Sequence, residues 1–133
     1  MPSLSIHAGG LDFGNPVLLA AGILGTTGAS LRRAARAGAG GVVTKSLGSS
    51  PREGHPGPTL VAVECGLLNA MGLPNPSYRD FQEEIDAAKS GGVPVIASIF
   101  GSSAAEFAQI VRSLKADAFE LNLSCPHAEN YGS

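Results

Sequence analysis

Tryptophan is absent from the 133 residues, and the remaining aromatics are five Phe and two Tyr. That leaves little for stacking nucleic-acid bases. Cysteine is nearly absent too. Cys65 and Cys125 stand far apart with no second pair, so neither a disulfide framework nor a CxxC metal site is present. His7 and His55 have no Cys, His or carboxylate at ligand spacing, so no metal site is expected. Charge of one sign is also lacking: 9 basic against 11 acidic side chains give a net charge of -2. Nothing in that balance calls for nucleic acid or an anionic membrane as partner. No apolar run approaches the roughly 18 residues of a membrane span; the longest candidate, residues 93–100, is strand-sized. The opening Met1-Pro2-Ser3-Leu4-Ser5-Ile6-His7 has no basic segment leading into an apolar one, hence no visible signal peptide. A cytoplasmic protein is expected.

Apolar residues make up 44% of the chain and charged ones 15%, with 18 Gly and 9 Pro. Such a chain buries roughly two-thirds of its unfolded surface, enough for one core and one domain over residues 1–133. Short apolar runs alternate with helical patterns. Val17-Leu18-Leu19-Ala20-Ala21, Gly41-Val42-Val43-Thr44-Lys45, Val95-Ile96-Ala97-Ser98-Ile99 and Phe119-Glu120-Leu121-Asn122-Leu123 read as four buried strands. Ser30 predicts a helix over 31–37, stopped by Gly38. Ser77 opens a second helix that buries Phe81, Ile85 and Ala88 and ends at Gly91-Gly92. Ser103-Ala104-Ala105-Glu106 is a capping box ahead of Phe107, Ile110, Val111 and Leu114, spaced for one face. Residues 4–6 and 11–13 suggest a small hairpin in front.

The fold class is α/β, with a parallel sheet expected to be buried on both faces. A small doubly wound sheet and the first half of a (β/α)8 barrel both fit four such strands. Either places chemistry at the C-terminal strand ends. No helix follows the fourth strand before Ser133, so the domain looks cut short.

Several residues at those ends are polar where the runs are apolar. The stretch from Gly22 to Gly28 follows a strand and opens a helix, a place where phosphate can rest on free N–H groups. Its spacing is not GxGxxG, and no acidic strand end lies about 20 residues on; a tight turn is the alternative. Lys45 ends an apolar strand and must reach solvent or an anion. Cys65-Gly66-Leu67-Leu68-Asn69-Ala70-Met71-Gly72-Leu73-Pro74-Asn75-Pro76 reads as a loop in which Asn69 and Asn75 offer donor and acceptor groups, or as an ordered connection. Cys65 reads as a small core residue. Asn122 ends a buried strand and needs a partner. Cys125 follows in a loop held by Pro126, either inert or a base or nucleophile, with His127 the nearest group to perturb it. Arg32, Arg33 and Arg36 form a solvated helix face.

Together, Asn15-Pro16 with Ala21-Gly22, Thr44-Lys45-Ser46, Asn69-Ala70-Met71-Gly72-Leu73-Pro74-Asn75 and Glu120-Leu121-Asn122-Leu123-Ser124-Cys125-Pro126 resemble the dihydroorotate dehydrogenases. The closest likeness is to class 1 and its 1B group, which use Cys as base where class 2 uses Ser. The resemblance covers the whole chain and about the first half of the family's (β/α)8 TIM barrel, the first four βα units. It implies FMN at the C-terminal mouth, held by Ala21, Gly22, Lys45, Ser46 and Asn122. It implies dihydroorotate bound by Lys45, Asn69, Ala70, Met71, Gly72, Leu73 and Asn122, with amides of residues 71–73 on its carboxylate. Cys125 would take the C5 proton while C6 delivers hydride to the flavin. His127 and Ser98 stand where many relatives carry Asn, the latter a flavin contact. The Ser-Cys-Pro-His form is also similar to dihydropyrimidine dehydrogenase, which acts on uracil and thymine. The family's second flavin lysine, a later substrate Asn and its phosphate loops fall beyond Ser133. A chain ending there is expected to hold FMN poorly, or to be an inactive half-barrel. The resemblance also implies a homodimer of the full enzyme and, for 1B, a partner subunit with FAD and an iron–sulfur cluster that passes electrons to NAD.

Overall fold

The computed structural model describes residues 3–123. A hairpin comes first: Ile6–Ala8 (β1) pairs antiparallel with Leu11–Phe13 (β2). Its first strand lies two residues later than the pattern suggests. Then come Leu18–Leu19 (β3), Gly28–Arg36 (α1) and Gly41–Val43 (β4). A second hairpin, Leu60–Val63 (β5) with Gly66–Asn69 (β6), precedes Gln82–Lys89 (α2). Val95–Ile99 (β7), Ala104–Ser113 (α3) and Ala118–Leu121 (β8) close the described chain. Strands β3, β4, β7 and β8 form one parallel sheet in that order. Chain order and spatial order therefore agree, with no reversal among the described strands.

Strand periodicity decides what each face carries. Val42, Val95, Ala97 and Ile99 share one face and pack against Leu31 and Ala35 of α1, Ile85 and Ala88 of α2, and Ile110 of α3. All three described helices thus cover the same face, and the reverse face, expected to be buried as well, leaves Leu18 40% exposed. On the reverse face Leu18, Ile96 and Ala118 meet Ile6, Leu11 and Phe13 of the first hairpin around an apolar depression of about 290 Å³. No described helix is long and apolar enough to cross a membrane.

Caps explain the helix starts. Thr27, not Ser30, caps α1: its side chain accepts from the Ser30 amide at 3.2 Å. The Glu84 carboxylate of α2 accepts from the Gly28 amide, so an acidic side chain occupies the helix terminus considered for phosphate. Ser77 caps a 3-10 turn at Tyr78–Asp80 that leads into α2. Ser103 caps α3 through the Glu106 amide at 3.3 Å, as the capping box predicts. Val111, expected inside, is exposed on α3.

The β5–β6 hairpin is absent from the sequence reading, which treats the segment after Cys65 as loop. All of its residues are exposed, so no buried face imposes a pattern. Its turn, Glu64-Cys65, is none of the dipeptides that mark tight hairpins. Cys65 is accordingly exposed and not a core residue.

Candidate functional site

The parallel strands end together on one side of the sheet. After β3 the chain reaches Ala21 and Gly22 and enters a 3-10 turn at Ile23–Gly25. The Gly25 carbonyl accepts from the Lys45 amide at 2.8 Å, which ties this turn to the end of β4. No side chain fits at residue 25: a Cβ there would stand 2.5 Å from the Lys45 nitrogen and 2.7 Å from the Val43 oxygen.

Beyond β4 the pairing with β7 continues through Leu47, whose amide donates to the Ser98 carbonyl at 2.9 Å. That ladder presents Lys45, partly buried, and Ser46, buried, at the rim. The Ser46 and Ser98 hydroxyls are 2.9 Å apart. Asn122, one residue past β8, donates its backbone N–H to the Ile99 carbonyl at 2.8 Å and its side-chain Nδ2 to the Ser46 hydroxyl at 3.3 Å. A polar strip thus crosses three strand ends.

Two clefts open over this rim. One, of about 550 Å³, is lined by Ala21, Gly22, Lys45, Ser46, Leu73, Glu120, Leu121, Asn122 and Leu123. The other, of about 650 Å³, is lined by Ala21, Gly22, Lys45 and Leu73 again, with Asn69, Ala70, Met71 and Gly72 on its far wall. All five residues assigned to the cofactor therefore border the first cleft. All of those assigned to the substrate except Asn122 border the second. Lys45 stands on both.

The far wall is held by backbone. Gly72 has φ 76, and a Cβ there would approach the His55 nitrogen to 2.6 Å. The His55 amide donates to the Met71 carbonyl at 3.1 Å, and the Ala70 amide to the Thr59 carbonyl at 3.0 Å. Asn75 does not offer its amide to a ligand. Its Oδ1 accepts from the Gly48 and Ser77 amides at 3.1 and 3.0 Å, and its Nδ2 donates to the Leu73 carbonyl at 3.0 Å. A buried amide satisfied in this way is a clip for the loop.

Thr59, Leu60 and Leu67 of the second hairpin also line the wall, and the sequence reading missed them. Leu60 and Leu67 share one face of the ribbon with Asn69 through the pairing Leu60↔Asn69 and Ala62↔Leu67. No alternation of polar and apolar residues marks that face in Leu60–Val63 or Gly66–Asn69, so the sequence carries no signal for them. Cys125, with Ser124, Pro126 and His127, lies outside the described residues. Among the described residues no cluster of three or more His, Cys, Asp or Glu is placed to hold a metal.

Comparison with known sequences gives a match to the dihydroorotate dehydrogenase family over residues 3–133. The chain is 56% identical over 130 residues to a Methanocella arvoryzae protein named dihydroorotate dehydrogenase B (NAD(+)), catalytic subunit. That alignment takes in 97% of this chain and 43% of the relative. Proteins of the same name from Methanosarcina mazei and Pyrococcus furiosus are 60% and 54% identical, over 93% and 98% of this chain. The chain spans 41% and 44% of those two relatives, less than half their length.

Proposed function

The chain belongs to the dihydroorotate dehydrogenase family, and from that premise we propose that it forms the first four βα units of an FMN-binding (β/α)8 barrel that oxidises dihydroorotate to orotate. Parallel strands in chain order, with the described helices on one face, support a barrel wall over a doubly wound sheet. The observation that carries the functional reading is Lys45, which borders both clefts.

The first cleft has the chemistry a flavin ring needs. Gly22 leaves its backbone open, with nothing within 4 Å of a Cβ position. Lys45 supplies a cation, Ser46 a hydroxyl and Asn122 an amide. Bound there, FMN would supply the hydride acceptor. In the second cleft the amides of residues 71–73 and the Lys45 ammonium would meet the substrate carboxylate, while Asn69 and Asn122 would address the ring amides. Cys125, four residues beyond the end of β8 in the sequence, would take the proton from C5 as hydride leaves C6, which creates the C5–C6 double bond. A thiolate of lowered pKa is a competent base near neutral pH. By the resemblance, a homodimer and an FAD and iron–sulfur subunit would complete the enzyme. The relatives' names, which specify a catalytic subunit, support a separate electron-transfer chain.

Anaerobic mixing of the FMN-loaded full enzyme with dihydroorotate tests this reading, with bleaching of the visible flavin band as readout. Bleaching by dihydroorotate and not by dihydrouracil is expected; the reverse would move the protein to the dihydropyrimidine reaction. Cys125→Ala is expected to keep flavin and abolish bleaching, and an ordinary rate in that variant would remove the base assignment. Lys45→Ala is expected to weaken orotate binding at least tenfold, about the value of one charge-assisted hydrogen bond. Unchanged orotate affinity would take Lys45 out of the site.

A further inference from the structure

We infer that Thr44 is a positioning residue: its hydroxyl holds a bulge at the end of β4 that turns Lys45 and Ser46 to the same side, towards the clefts. The inference rests on the function proposed above, since both side chains belong to that site.

The bulge is visible in the ladder between β4 and β7. In a parallel pair each residue donates its N–H to one residue across and accepts, at its carbonyl, from the residue two further on. Up to Thr44 that order holds. The Val42 amide donates to the Pro94 carbonyl at 3.0 Å and the Thr44 amide to the Ile96 carbonyl at 2.9 Å. The next N–H to enter the ladder should be that of Ser46, to the Ser98 carbonyl. It is that of Leu47 instead, at 2.9 Å, and the Leu47 carbonyl then accepts from the Phe100 amide at 3.0 Å. The register moves with it: Val43 stands opposite Ile96, but Leu47 stands opposite Ile99. The β4 side thus carries one residue more than the β7 side, which defines a bulge.

Packing gives the same answer. Val42 and Leu47 lie in one cluster against the helices, although residues an odd number of positions apart face opposite sides of an unbroken strand. The extra residue falls between them. It lets Lys45 and Ser46, neighbours in sequence, both border the first cleft.

Thr44 fastens the bulge. In the ordinary register the Ser98 amide would donate to the Thr44 carbonyl. It donates to the Thr44 hydroxyl, at 3.0 Å, and that hydroxyl donates to the Lys45 carbonyl, also at 3.0 Å. Both senses are settled, because an N–H only donates and a carbonyl only accepts. One side-chain oxygen thereby joins β7 to the Lys45 backbone, whose amide donates to the Gly25 carbonyl at 2.8 Å. Thr44 is fully buried and borders neither cleft, so it acts through Lys45 and touches no ligand itself. Valine in its place keeps the branched shape and removes the hydroxyl. The Ser98 N–H, on a fully buried residue, then loses its acceptor, and the Lys45 backbone loses this tie to β7.

Orotate titrated into the full flavoenzyme, read from the shift in flavin absorbance, tests this. Thr44→Val is expected to raise the orotate Kd about tenfold, the size of a buried N–H left without its acceptor. Thr44→Ser, which keeps the hydroxyl, is expected to keep most of the affinity. In a Lys45→Ala background Thr44→Val is expected to add nothing, because its route to the ligand is gone. An unchanged Kd in Thr44→Val overturns the inference. So does an effect that Thr44→Ser shares in full, or one that adds in full in the Lys45→Ala background, which marks a merely structural role. Hydrogen exchange at the Lys45 amide reads the backbone without any ligand. Faster exchange in Thr44→Val than in the parent is expected, and equal protection overturns the inference even where the variant releases its flavin. A parent enzyme that binds no orotate would instead sink the proposed function, so the two failures are distinguishable.

Discussion

Gly25 shows how a residue with no side chain shapes the rim. The atoms that a Cβ would strike, Lys45 N at 2.5 Å and Thr44 C at 2.6 Å, are backbone and cannot rotate aside. Gly25→Ala must push the 3-10 turn away from β4, with loss of the 2.8 Å hydrogen bond onto the Lys45 amide. Overpacking of this kind costs about 1–3 kcal/mol. A lower thermal midpoint and weaker flavin retention are expected together, because the displaced backbone carries Lys45. Gly66 provides the control: nothing lies within 4 Å of its Cβ position, and Gly66→Ala is expected to stay within about 0.5 kcal/mol. Circular dichroism melts of the two variants check the pair. Equal midpoints would mean the turn yields without cost.

In the first turn of α3, one carboxylate fastens several segments. Glu106 accepts from the Ser49 hydroxyl, and from the Ser102 amide at 2.8 Å and hydroxyl at 2.9 Å. These hydrogen bonds, Ser49 first, hold it below its ordinary value of 4.5 against an opposing desolvation. A carboxyl whose native pKa is lowered contributes stability above its unfolded pKa and loses it as pH falls through the native one. Glu106→Gln is therefore expected to narrow the stability loss on acidification below about pH 4.5 while costing stability at neutral pH. Urea midpoints against pH check it; parallel curves for parent and variant would exclude the role. At this scale the sequence is informative where local signals agree. β7 and the Ser103 cap of α3 are legible because an apolar run and a capping box stand alone. Lys45 and Asn122 are legible because each is polar at the end of an apolar strand. The β5–β6 ribbon has no buried face and no marked turn, and Thr59 and Leu67 reach the cleft only through its pairing. Asn75 looks identical in type to Asn69, and only the positions of the Gly48 and Ser77 amides make it a clip.

The whole molecule is a sheet with work left to do. β3 and β8 are its outer strands, and no described strand pairs with their free edges. Its reverse face leaves Leu18 40% exposed beside the apolar depression, and Leu121 on β8 is 50% exposed. Unpaired edges next to apolar surface favour association with another chain. The relatives this chain matches are more than twice as long. Residues 1–133 produced alone are expected to self-associate as concentration rises and to lose FMN on desalting, since half a rim supplies half the contacts. Sedimentation velocity over a concentration series, followed by a visible spectrum of the desalted protein, reads both. A monomer at every concentration that stays yellow would show that four strands suffice for a closed, binding-competent mouth, and would overturn the half-barrel architecture proposed for them.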